Sequence, residues 1–303
     1  MSVSFAKRTV IITGAAGGLG HACALVMARR GADLLLVDRA DTASVVAEAE
    51  TACARAIGIQ ADLNDPGAPQ AIVAMAMERF GRVDVLVAAA GMLRDRSIAK
   101  LSIDDDFAPV MRVHQEAPFR LAHAAWPHMQ AAGYGRILFF TSHAGLFGNF
   151  GQSNYGTAKA GLVGLARTLA LEGARHGIQV NAIAPLAVTD MASATALADH
   201  SDVLRADDVA GAAAWLCSEA CPSSGLTLAA AGAALAVVRM VQNDSTLAAA
   251  PGAATPETVA SHWPEVIAMS TGREYASAWE AAQPLLATLH GQGGMDGENA
   301  HAG

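Results

Sequence analysis

Thr9-Val10-Ile11-Ile12-Thr13-Gly14-Ala15-Ala16-Gly17-Gly18-Leu19-Gly20 is the stretch that decides the fold. A β-branched, apolar run enters a glycine-rich turn, and a helical stretch, Leu19–Arg30, follows at once. In that layout the turn lets backbone approach a pyrophosphate, and the helix start offers free N–H groups and a positive dipole end. The spacing is Gly14-x-x-x-Gly18-x-Gly20. Glycines alone also mark ordinary turns; their place between the first strand and the first helix carries the weight. Gly14, Gly18, Leu19 and Gly20 are therefore candidate phosphate-binding residues.

Working outward, short apolar runs alternate with longer helical stretches. Strands are expected at Thr9–Thr13, Asp33–Val37, Ala56–Gln60, Val83–Ala88, Arg136–Thr141 and Gln179–Ala184, with a weaker one at Leu226–Ala230. Helices are expected at Leu19–Arg30, Thr42–Ala54, Pro66–Phe80, Asp105–Ala132 and Tyr155–His176, with Gly31, Gly81 and Gly177 at helix ends. Apolar strands alternating with helices predict a parallel sheet buried on both faces. The expected fold class is α/β: a Rossmann-type, doubly wound parallel sheet of about seven strands. Beyond residue 235 the pattern changes to two short helices, Pro256–Met269 and Tyr275–Leu289, then a polar Gly-rich stretch. The expected organisation is a Rossmann-type domain over 1–235, a helical extension packed on or near it over 236–290, and a fraying tail over 291–303.

The chain has 303 residues, 52% apolar and 16% charged, a mean hydropathy of +0.30 and a net charge of −8. That excludes intrinsic disorder, and the acidic balance argues against nucleic-acid binding. The charge-free stretch Ala220–Val238 is broken by Pro222 and polar residues, so no membrane span is expected. With no secretory signal and four scattered cysteines (Cys23, Cys53, Cys217, Cys221), a reduced, cytoplasmic protein is expected. His123 and His128 lack zinc-motif spacing, so no metal site is expected.

The second strand ends at Asp38, 24 residues after Gly14. A carboxylate there can accept both hydroxyls of an adenosine ribose and would repel a 2′-phosphate, which predicts NAD over NADP. Arg39 pulls the other way, since a guanidinium can bind that phosphate. Asp62-Leu63 is placed either to meet the adenine edge or to cap the helix before Pro66. Ala88-Ala89-Ala90-Gly91 closes the fourth strand with residues small enough for close cofactor approach; Ala89 and Gly91 are taken as contacts.

Ser142 ends the fifth strand; Tyr155 follows 13 residues later and Lys159 lies at i+4 from it, on the same helix face. Oxidising an alcohol by hydride loss requires a base for its proton. A free tyrosine, pKa ~10, is too weak; bringing it to ~7 takes about 4 kcal/mol of phenolate stabilisation. Lys159 with a positive nicotinamide can supply that, while Ser142 holds the substrate oxygen.

With these residues in view, the chain resembles the short-chain dehydrogenase/reductase family over about Lys7–Gly232, through the glycine pattern, Asp38 and Ser142…Tyr155-x-x-x-Lys159. The resemblance implies cofactor contacts at Pro185, in Asn181-Ala182-Ile183-Ala184-Pro185, and at Thr189. Two positions depart from it. The family's Asn-Asn-Ala-Gly is Ala88–Gly91 here, and its fourth catalytic residue, an Asn in a water relay to Lys, aligns with His114. His114 either holds that water or packs. Gly91–Ser97, Arg112-Val113-His114, Ala125–Met129 and Gly148–Tyr155 resemble the (3R)-hydroxyacyl-CoA dehydrogenase unit of peroxisomal multifunctional enzymes and bacterial relatives, a branch that also carries His at that position. The implied reaction is 3-hydroxyacyl-CoA to 3-ketoacyl-CoA, or a related hydroxysteroid oxidation. Pro185–Asp199, the expected substrate lid, departs from the branch. Arg94, Arg96 and Lys100 are candidates for CoA phosphates or simply a solvated face.

A hydroxysteroid or other secondary-alcohol dehydrogenase is the alternative enzyme reading. A cofactor-binding regulator without turnover has no chemical need for Ser142, Tyr155 and Lys159 together. Small residues on the long helices (Ala160, Gly161, Gly164, Ala166) suit pairing across a two-fold axis, and a homodimer or homotetramer is expected.

Overall fold

The computed structural model describes residues 3–52, 55–188, 199–246, 249, 253–268 and 271–289. Its sheet has eight strands: β1 (Thr9–Thr13), β2 (Asp33–Asp38), β3 (Ala56–Gln60), β4 (Val85–Ala88), β5 (Gly135–Phe140), β6 (Ile178–Leu186), β7 (Thr227–Ala231) and β8 (Ala234–Val238). The spatial order is β3-β2-β1-β4-β5-β6-β7-β8. Strands β1 to β7 are parallel, and β8 returns antiparallel to β7. Winding starts at β1 and goes both ways, so the topology switches between β1 and β4. Open α/β sheets bind ligands at the carboxyl ends of such strands.

Alternate side chains of each strand enter opposite faces. Val10, Ile12, Leu34, Leu36, Val85 and Val87 pack on α1 (Gly18–Ala28) and α8 (Ala206–Leu216). Ile11, Leu35, Val37, Leu86 and Ala88 pack on α3 (Ala68–Phe80), α5 (Ala117–Ala132) and α7 (Ser153–Gly173). Both faces are apolar, which is why the strands read as continuous hydrophobic runs. The first cluster also holds the free thiols Cys23, Cys217 and Cys221. Burial pushes the Cys23 thiol up to about 12 and raises that of Cys217 as well.

Several expectations are corrected. The strand count is eight, because β8 carries no buried face for a hydrophobic pattern to reveal. Strand β4 starts at Val85 instead of Val83: Asp84 turns inward and accepts from the Thr9 backbone N–H (2.8 Å) and from the Arg82 guanidinium. The expected helix Asp105–Ala132 is broken into a π turn (Ile103–Phe107), α4 (Ala108–Met111), a second π turn (Arg112–Glu116) and α5. Pro109 and Pro118 open the two α segments. Each proline lacks an N–H and crowds the carbonyl four residues back, so the turn before it widens. Asp106 is buried in the first π turn. Helix α3 begins at Ala68 with Gly67 before it, leaving Pro66 outside. Helix α2 is Ala43–Thr51, and α6 (His143–Phe147) and α8 were not expected.

The chain divides into two compact units, Met1–Val238 and Arg239–Gly303. In the second, α9 (Pro256–Val266) starts with a reciprocal Thr255–Thr258 capping box and α10 spans Ala278–Leu289. Asn243 Nδ2 donates to the carbonyls of Val266 (2.7 Å) and Ala268 (2.9 Å). The expected tail 291–303, Cys53 and Thr189 lie outside the described residues. Among the described residues no helix is long and apolar enough to cross a membrane.

Candidate active site

The glycine loop between β1 and α1 is set by close approach. Gly14 has φ +72°, and a Cβ on it would meet Ala90 Cα at 2.7 Å. A Cβ on Gly20 would meet the Gly14 carbonyl oxygen at 2.0 Å. Helix α1 has neither a side-chain cap nor an acidic residue in its first turn. Its first amides are thus left for an external acceptor. Leu19 sits in that first turn, against the β-sheet cluster. Asp38 ends β2 and clasps the loop: its carboxylate accepts from Ala16 N (3.0 Å) and Ala40 N (2.9 Å).

Gly14, Asp38, Arg39, Asp62, Leu63 and Gly91 come together around one open cleft. Val37, Ala61, Asn64, Ala90, Met92 and Val113 complete its walls; none of them was taken as a cofactor contact from the sequence. Asp62 does not cap a helix. Its Oδ1 accepts from the Asn64 backbone N–H (2.9 Å) in a local turn. That bond, with help from Arg39, holds its carboxyl below the usual range. Ala89 follows β4, and Pro185 lies in β6 opposite Ala230; neither lines this cleft. The cleft, the glycine cradle and the uncapped helix fit a dinucleotide.

The predicted trio also converges. Ser142 follows β5, and its Oγ accepts from Ala144 N (3.2 Å) to start α6. Tyr155 and Lys159 project from the first turns of α7. Thr141 Oγ1 donates to the Lys159 carbonyl (2.7 Å), and Lys159 Nζ donates to the Phe140 carbonyl (2.5 Å), so α7 is stitched to the end of β5. The Lys159 ammonium lies 5.6 Å from the Tyr155 ring centre. Burial drives its pKa down to about 7. Tyr155 is pushed up by burial, partly offset by its hydrogen bond with Ser142. Lys159 and a positive nicotinamide were expected to lower the phenol together; burial penalises the phenolate, and Lys159 is itself desolvated.

His114 sits in the second π turn, 1% exposed, with its ring edge-on to Tyr155 at 5.0 Å. Its Nε2 lies 2.7 Å from the Met92 carbonyl oxygen and 2.9 Å from Met92 N. One nitrogen cannot serve both; the shorter contact fits Nε2–H donating to the carbonyl. Nδ1 then carries a lone pair with no partner among the described residues. Burial, then the charge of Lys159, hold the imidazole well below its ordinary pKa, so it is neutral. A Cβ on Gly91 would meet His114 Cε1 at 2.7 Å, so glycine is required there.

Residues 8–200 match the family model described as short chain dehydrogenase. The chain belongs to the short-chain dehydrogenase family. Its homologues are oxidoreductases acting on CH–OH groups, and this family works with NAD(P). The mouse peroxisomal multifunctional enzyme type 2 is 35% identical over 298 residues, covering 94% of this chain and 40% of the mouse protein. The solved full-length peroxisomal multifunctional enzyme type 2 of Drosophila melanogaster superposes with a TM-score of 0.82 at 32% identity, over 95% of this dehydrogenase and 50% of the fly chain. A short chain dehydrogenase from Mycobacterium avium gives 0.78 at 32% identity, over 86% and 95%. The chain thus spans half or less of these two multifunctional enzymes.

Proposed function

We propose that this dehydrogenase interconverts a 3-hydroxyacyl-CoA and the 3-ketoacyl-CoA with NAD, Tyr155 exchanging the alcohol proton. The observation that carries the reading is the convergence of Ser142, Tyr155 and Lys159 at the carboxyl end of β5. When bound, NAD⁺ would supply the oxidant and a positive charge beside Tyr155. Gly14, Gly18, Leu19 and Gly20 would hold its pyrophosphate, with Asp38, Asp62 and Leu63 at the adenosine, and Ala89, Gly91 and Pro185 toward the nicotinamide. Asp38 supports NAD because its carboxylate is pinned in the cleft. Arg39 is drawn electrostatically to Asp62, which weakens its claim on a 2′-phosphate.

Ser142 orients the substrate oxygen, and the Tyr155 phenol gives or takes the proton. Lys159, poised near neutrality, follows the charge on Tyr155. Neutral His114 offers Nδ1 as an acceptor for a water on the path to Lys159; it donates no proton itself. The acyl reading draws support from the multifunctional relatives and from exposed Phe147, Phe150 and Ile98 beside exposed Arg94 and Lys100. Arg96 is less available, paired with Asp106 at 2.9 Å. The exposed Phe119 and Leu171, with Trp126, Leu165 and Leu169 on the outer faces of α5 and α7, support a homodimer through these helices.

The test is NADH formation from 3-hydroxyacyl-CoA thioesters, steroid alcohols and simple secondary alcohols, each repeated with NADP⁺. Turnover of the thioester with NAD⁺, and a loss of roughly 10²–10⁴-fold in kcat for Tyr155→Phe, is expected. A preference for steroids overturns the substrate assignment; a preference for NADP⁺ overturns that of the cofactor.

A further inference from the structure

Residue 154 is an asparagine with no exposed surface, immediately before Tyr155. Every hydrogen-bonding bond it makes goes to a different wall of the site. Its Oδ1 accepts from the Tyr155 backbone N–H (2.8 Å). Tyr155 is in the first turn of α7, where amides have no partner within the helix. The two amide hydrogens of Nδ2 go to the Arg94 carbonyl (2.9 Å) and the Asp106 carbonyl (3.1 Å). Arg94 lies in the loop after β4, and Asp106 in the first π turn.

The same three segments are tied together around that amide. Arg96 N donates to the Gly151 carbonyl (2.8 Å), Gln152 Nε2 to Asp95 Oδ2 (2.7 Å), and Arg96 Nε pairs with Asp106. The Gln152–Asp95 tie is exposed, and an exposed Arg96 meets buried Asp106, whereas Asn154 is fully enclosed. A buried amide with both hydrogens and its oxygen engaged is fixed in orientation, since any rotation leaves two carbonyls unpaired.

We infer that Asn154 is the positioning residue of Tyr155: it locks the start of α7 to the loop after β4 and to the π turn, and so sets where the phenol stands. The inference rests on Tyr155 being the proton-exchanging group. Only an amide fits the role. Its oxygen meets an N–H, and its nitrogen meets two carbonyls. Aspartate keeps the shape and the acceptor but turns a carboxylate oxygen toward those carbonyls, until it is protonated and can donate to one of them.

The chain has 3 tyrosines, so 3-fluorotyrosine labelling gives a fluorine spectrum in which Tyr155 is assigned by its loss in Tyr155→Phe. In Asn154→Ala the Tyr155 line should shift or broaden while those of Tyr134 and Tyr275 stay. Asn154→Asp serves the same test without a cavity, and is decisive if the alanine variant does not fold. An unmoved Tyr155 line in a folded variant overturns the inference, whatever the substrate proves to be. Turnover adds a second reading, with NADH and whichever ketone the wild type reduces fastest. The kcat of Asn154→Asp should fall at least tenfold at pH 8, its NADH Kd staying within about twofold. Its ratio to wild type should then climb as pH falls. A ratio flat with pH, at any level, overturns the inference, as does a loss of rate matched by an equal loss of NADH affinity.

Discussion

Folded, His114 binds fewer protons than it does unfolded, because burial holds its pKa well below 6.5. Unfolded-state histidine titrates near 6.5, so acid favours the unfolded chain. The stability that neutral His114 contributes is complete above that range and is lost as pH falls through it. Between pH 7 and pH 5, wild type should therefore lose more Tm than His114→Asn, read by scanning fluorimetry. Equal losses would mean that the imidazole is not held neutral. Ser142, Tyr155 and Lys159 were legible in the sequence, since strand-end and i,i+4 spacing suffice to gather them. His114 was visible as a candidate, but its tie to Met92 joins positions 22 residues apart in the chain, which no local pattern encodes. The raised pKa of Tyr155 was equally hidden, because it is set by how much protein encloses the ring.

At the scale of elements, the strands that flank the site were read to within about two residues, because each is buried on both faces and bounded by turn residues. The π turns were not, although their cause was in plain view. A proline inside a helical pattern signals a break without saying whether the preceding turn widens or ends. Strand β8 was missed for the opposite reason: with its residues exposed, no pattern distinguishes it from loop. Helices α5 and α7 keep apolar residues outside, Phe119 at 52% and Leu171 at 54% exposure. Burying a large aromatic at an interface is worth ~1.5–3 kcal/mol, and a charge placed there is penalised. Phe119→Glu should therefore shift the mass seen by light scattering toward monomer, with the far-UV spectrum unchanged. An unaltered mass would move the subunit contact elsewhere.

For the molecule as a whole, a ligand that binds only the folded chain raises its melting temperature by mass action. NADH at 100 times its Kd adds about 2.7 kcal/mol, which corresponds to roughly 5–10 °C for a unit the size of Met1–Val238. NADPH at the same concentration should give a smaller shift, since the pinned Asp38 carboxylate faces the extra phosphate. Equal shifts would remove the charge argument. The three thiols between α1, α8 and the sheet give the chain a property of a different kind. They are enclosed, and burial raises the Cys23 and Cys217 thiols, so a maleimide or disulfide reagent does not reach these three while that layer stays shut. Their labelling rate is a clock for the opening of one face of the sheet, and it runs without any engineered probe.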